Sequence, residues 1–151
     1  MPLRVHEAAK PPIVRLASVM TMAHAAAGAA IARASRSTAR GAVAAFAAHA
    51  LLDLPRHEDL EMREEGILTV TTIGICAGLF GVRSREFWGA FACSSPDLEH
   101  VFRRNRTAYF PTHRFKRLHG LVPTPLATAP FQVARAGATL AVIARRRRRT
   151  R

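Results

Sequence analysis

Two alanine-rich stretches, MTMAHAAAGAAIARA from Met20 and ARGAVAAFAAHALLD from Ala39, constrain this chain more than any other feature. Alanine is the strongest helix former and too small to fill the space between two sheets. Helices made of it can approach each other closely. Aromatic residues supply only 7% of the chain, so few large side chains offset the small ones. The expectation is an all-α fold, a compact bundle of about five to six helices. At 151 residues and 49% hydrophobic content, one domain can bury a sizeable core.

Residues 21–34 read as the first helix, where Gly28 is either a modest cost or the mark of a close helix contact. Ser35 to Thr38 is a polar break, and residues 39–53 form the second helix. Pro55 ends it, because the residue before a proline avoids the α region. Residues 66–82, GILTVTTIGICAGLFGV, carry no charge. A membrane span needs about 20 apolar residues, so this segment fits a buried core helix or a short membrane-embedded one. A further helix is expected over 85–92. Ser95 then suits an N-cap, with Pro96 at the first helical position and Asp97 and Glu99 on the positive end of the dipole. Thr112 caps a helix that Gly120 stops, prolines 123, 125 and 130 mark a linker, and residues 131–144 form the last helix. Residues 1–19 are a flexible leader, or an extension upstream of a true start at Met20. Residues 20–144 are the domain, and 145–151 a basic tail.

The net charge is +13, with 23 Lys+Arg. That suits an anionic partner, a membrane surface included, or reflects an arginine-rich genome. Nucleic acid ranks last, since no aromatics are arranged for stacking and no recognition helix stands out. Cys76 and Cys93 form no C-x-x-C motif, which points to a reducing compartment without a structural disulfide.

The stretch HALLDLPRHED places His49 and Asp53 four residues apart on one helical face, with His57 just past the break. Asp97 and His100 are three apart. His24 stands on the first helix, and His113 and His119 lie in a basic stretch. Each has a bland reading: a packed histidine, a capping aspartate, a basic surface. Together they say more, because a buried charge that is neither paired nor metal-bound costs several kcal/mol. Helical bundles build interior metal sites from imidazole and carboxylate at this spacing. Zinc accepts such ligands, as do iron and manganese. Bound ions can generate hydroxide near neutral pH and neutralise a phosphoryl group.

These motifs resemble those of the helical, membrane-associated metal-dependent hydrolases, a family that includes the LexA-binding inner-membrane hydrolase. MTMAHAAAG is similar to the family's T-H-x-x-x-G helix, and HALLDLPRH to its H-x-x-x-D-x-x-P-H segment. GAFACSSPDLEH matches a P-D-hydrophobic-D/E-H motif. HRFKRLH resembles an H-R…H element, although the family's Gly and Thr are absent there. The resemblance spans roughly residues 20–125. It implies hydrolysis of a phosphoester or lipid at a membrane-associated site, with about one to three divalent ions, zinc foremost. The implied ligands are His24, His49, Asp53, His57, Asp97, His100 and His113. Glu99 or Asp53 would act as general base, and Arg114 would clamp an anionic substrate. The competing expectation is a non-catalytic integral or peripheral membrane protein with a basic cytoplasmic tail. A cytoplasmic enzyme is the alternative location.

Overall fold

The computed structural model describes residues 20–55, 62–99, 109–115, 121–122 and 129–149. Five long helices and one single turn account for most of them: α1 (Met20–Ala34), α2 (Thr38–Leu52), α3 (Met62–Phe80), α4 (Arg85–Ser94), α5 (Pro111–Arg114) and α6 (Ala129–Arg149). No strand occurs among the described residues. A lone parallel bridge joins Pro55 to Val122, where the Val122 N–H donates to the Leu54 carbonyl at 2.8 Å. That bridge ties the end of α2 to the segment after α5. The leader, His57, His100 and His119 lie outside the described residues.

Local chemistry sets the helix ends. Ser37 caps α2 by accepting from the Arg40 N–H at 3.3 Å, and Ser84 caps α4 by accepting from Phe87 at 3.0 Å. Gly81 stops α3 in the left-handed conformation, φ +82°, which only glycine adopts without strain.

Helix α1 is the centre of the bundle and packs against α2, α3, α4 and α6. Small residues make this geometry. A Cβ at Gly28 would collide with the Gly89 carbonyl and the Cys93 Cβ, and one at Gly89 would collide with Ala32 and Gly28. So α1 and α4 touch backbone to backbone, and Gly28 marks a close contact. A Cβ at Gly41 would come within 2.8 Å of the Ala32 Cα, which brings α2 equally near. The apolar core is Ala25, Ala26, Ala29, Cys76, Phe80, Ala90, Ala136, Leu140 and Ile143. Close helix approach replaces bulk as the means of excluding water.

Four sequence expectations change. Helix α3 starts at Met62 rather than 66, so its first turn carries Arg63, Glu64 and Glu65. Thr69 and Thr72 face inward, and the Thr72 hydroxyl donates to the Leu68 carbonyl at 2.8 Å. Among the described residues no helix is long and apolar enough to cross a membrane. The uncharged segment lies mostly within α3, which packs against α1 and α4 and leaves Ile67, Val70, Ile75 and Leu79 exposed. Helix α6 continues through the terminal arginines to Arg149. A helix does open in this segment, with Leu98 and Glu99 helical, but Ser95 is not its N-cap: it is the C-cap of α4 in the αR conformation, and its hydroxyl donates to the Ala92 carbonyl at 2.8 Å. Thr112 does not cap α5. Phe110 holds that position without a side-chain bond, and Pro111 fills the first turn.

Candidate metal centre

Four side chains converge where α1, α2 and the turn after α4 meet. His24 lies one turn before the Gly28–Gly89 contact. His49 occupies the last turn of α2, Asp53 is that helix's C-cap, and Asp97 follows the end of α4. Close approach of α1 to α4 brings His24 to Asp97, and the four-residue spacing brings Asp53 under His49. His24, His49 and Asp53 are 2%, 0% and 0% exposed, and Asp97 9%.

The polar contacts are mutual. His24 Nδ1 is 3.1 Å from Asp97 Oδ2, and His24 Nε2 is 3.5 Å from Asp53 Oδ1. His49 Nε2 is 3.2 Å from Asp53 Oδ2 and 3.4 Å from Asp97 Oδ1. The two rings meet edge to face, 4.4 Å between centroids. Phe110 stands perpendicular to His49 at 4.9 Å and touches Phe46 at 5.4 Å, which walls one side with apolar edges.

Protonation follows from these partners. His49 Nδ1 lies 2.6 Å from the Cys93 carbonyl, which can only accept, so Nδ1 carries the proton. In neutral His49 the Nε2 lone pair therefore faces two carboxylate oxygens. Lone pairs cannot face each other in a dry interior without a proton or a cation between them. Charge-assisted hydrogen bonds run about 2.7–2.9 Å. The Nε2 distances are longer. They match the ligand-to-ligand edge of a tetrahedral ion bound at about 2.0–2.1 Å, which geometry places near ~3.3–3.4 Å. The buried His24 Nε2 has no hydrogen-bond partner. One ligand atom from each of His24, His49 and Asp97 falls within 4.8 Å of the others, so these three could hold a metal ion.

Charge around the cluster is tuned by burial and by neighbours. Burial alone would raise the Asp97 carboxyl. In metal-free protein the hydrogen bond from His24, and the charges that His24 and His49 carry when protonated, outweigh it and hold Asp97 below its ordinary value. Burial, and then the carboxylates of Asp97 and Asp53, push the Cys93 thiol up to about 12. Burial alone takes Cys76 to about 11. Both thiols stay protonated at neutral pH, which leaves Cys93 to act through its backbone carbonyl.

Of the residues expected at the site, the structure brings together His24, His49, Asp53 and Asp97. Glu99 is occupied elsewhere: its Oε2 accepts the Tyr109 and Phe110 N–H groups at 2.9 and 3.4 Å, holding the entry to α5. Arg114 is exposed, with its guanidinium 5.8 Å from the Phe115 ring centroid, and it makes no contact with the cluster among the described residues. His113 lies in α5, but its side chain, like His57 and His100, is outside what the structure describes. Sequence reasoning missed two contributors. The Thr112 hydroxyl donates to Asp53 Oδ2, and the Cys93 carbonyl fixes the His49 tautomer. No local pattern signals either, since they lie 59 and 44 positions from their partners. Comparison with protein-family models, curated proteins and solved structures finds no match.

Proposed function

We propose that this protein is a metal-dependent hydrolase of phosphoesters or lipids, with a divalent ion, zinc foremost, held by His24, His49 and Asp97. The observation that carries the reading is the pair of carboxylates facing the Nε2 lone pair of His49 at 3.2 and 3.4 Å in a buried site. Such an ion supplies Lewis acidity and acidifies nearby water. The chain's own residues do the rest. The Cys93 carbonyl orients His49. Asp53, steadied by Thr112, is placed to take a proton as general base. Asp97 is the most exposed of the four, so approach is from its side.

The burial of His24, His49 and Asp53 favours a second reading, a structural ion that locks α1, α2 and the turn after α4 together. Structural sites are closed, whereas catalytic sites keep a position open. The test uses the metal-loaded full chain with p-nitrophenyl phosphate and its bis ester. Hydrolysis that falls about 100-fold in Asp53→Asn, with metal retained, supports the enzyme. Stoichiometric metal without turnover, and a cobalt spectrum unmoved by phosphate, supports the structural ion.

A further inference from the structure

A second feature lies farther along α1, independent of the metal reading. Two cavities meet at Arg33. The first, about 590 Å³, is a groove between α1 and α6 lined by Ala30, Ala34, Ala138, Val142 and Ile143, with Arg33 and Arg146 at its rim. The second, about 580 Å³, is lined by Arg33, Arg83, Arg85, Arg147 and Glu86. Both fall in the size range of small-molecule sites.

The basic cavity sets four guanidiniums against one carboxylate. Three of the four are held in place by the fold. Arg33 pairs with the buried Glu86 at 2.7 Å. Arg85 donates to the Ser35 carbonyl, and Arg147 donates to the Phe80 carbonyl at the end of α3. A guanidinium has five donors in a planar fork suited to phosphate. Arg83 is exposed at the rim. Like charges gathered at one cavity repel, and an anion relieves that repulsion. Besides Arg33 and Arg146, the neighbouring groove has one polar lining residue, Thr139, whose hydroxyl donates to the Arg135 carbonyl at 2.8 Å. Its alanines leave room where larger residues would have closed the gap between α1 and α6.

From this juxtaposition we propose that the α1–α6 groove and the Arg33/Arg83/Arg85/Arg147 cavity form one site for an anionic amphiphile. A single alkyl chain lies along the alanines of α1 and α6, and its phosphate head rests on the arginines. Charge complementarity selects a phosphate-headed lipid over a neutral one, and the groove selects a lipid over free phosphate. Arg33 is nine residues from His24, about 13 Å along the helix at 1.5 Å per residue, so this is a site apart from the metal cluster.

The test is calorimetric titration of the full chain with lysophosphatidic acid below its micelle concentration. Lysophosphatidylcholine of the same chain length, glycerol phosphate and a single-stranded oligonucleotide are the comparison probes. Saturable binding of lysophosphatidic acid is expected, at least tenfold tighter than each of the other three. Arg83→Ala weakens it at least fivefold. Ala138→Phe fills the groove and weakens the lysolipid while leaving glycerol phosphate unchanged. Equal affinity for the two lysolipids would remove the role of the arginines. Equal affinity for glycerol phosphate would remove that of the groove. Tighter binding of the oligonucleotide would reassign the site to nucleic acid. Any of these, or no binding of lysophosphatidic acid, overturns the proposal. The lipid site shares no residue with the metal cluster, so zinc content and lysophosphatidic acid binding are read separately on the same wild-type sample, and absence of zinc leaves the lipid proposal standing.

Discussion

Replacing Gly28 with alanine should destabilise this protein, although the same change at Gly74 or Gly137 should stabilise it. In a helix interior, Gly→Ala gains about 1 kcal/mol from backbone entropy and propensity. At Gly74 in α3 and Gly137 in α6 an added Cβ meets nothing within 4 Å, so most of that gain is realised. At Gly28 the new Cβ overlaps the Gly89 carbonyl and the Cys93 Cβ. One obstacle is backbone, so α1 and α4 must separate along the contact that seats His24 against Asp97. Adding a carbon to a tight core costs about 1–3 kcal/mol, and a backbone obstacle belongs at the upper end. After the propensity gain is subtracted, a net loss of about 1–2 kcal/mol is expected. Each kcal/mol moves the melting temperature of a domain this size by about 2–4 °C. Thermal unfolding followed by circular dichroism should place Gly28→Ala several degrees below wild type, and Gly74→Ala and Gly137→Ala slightly above it. A Gly28→Ala protein as stable as Gly74→Ala would refute the backbone-to-backbone packing of α1 on α4.

Three further outcomes follow from the same geometry. Asp97 has a folded-state pKa below its unfolded value of about 3.9, so its stabilising contribution is complete above that value and lost as pH falls through the folded one. In metal-free protein, denaturant titrations should therefore show the stability difference between wild type and Asp97→Asn changing below about pH 4 and flat from pH 5 to 7; a constant difference down to pH 2 would contradict the pairing with His24. Cys93 and Cys76, pushed up to about 12 and 11, should resist iodoacetamide at pH 8 in the folded chain and react once it is unfolded. Thr112→Val keeps the volume but removes the donor to Asp53, and should weaken metal affinity about 10-fold or more while changing helix content little. Unchanged affinity would show that Asp53 needs no such support.

Much of the fold was legible because it is written in short-range patterns. The alanine runs mark α1 and α2, the polar break from Ser35 to Thr38 separates them, and Pro55 follows the end of α2. The His49–Asp53 pair was legible for the same reason, since helical spacing alone puts the two on one face. Expectations failed where the same local signal serves two outcomes. Ser95-Pro96-Asp97 reads as the capped first turn of a helix; helix does resume at Leu98, but the three residues themselves form the C-cap of α4 and a turn that aims Asp97 at two histidines. The lack of charge over 66–82 fits a membrane span or a packed helix equally well. The helix turns Thr69 and Thr72 inward and leaves Ile67, Val70 and Leu79 exposed, and only the neighbours reveal which way each faces. Glu99 lies two residues from Asp97, but two residues on it points away and holds the Tyr109 and Phe110 amides. Thr112 and the Cys93 carbonyl enter the site through tertiary packing, which has no sequence period.

The most direct test of the central claim is the metal content of the full chain, purified without a polyhistidine tag. Elemental analysis would compare wild type with His49→Ala and Asp97→Ala after reconstitution with zinc, iron or manganese. The account predicts about one equivalent or more in wild type and little in either variant, since each removes a ligand from a site that holds few. No metal in wild type, or the same stoichiometry in all three proteins, would contradict it and leave His24, His49, Asp53 and Asp97 as a buried hydrogen-bonded cluster.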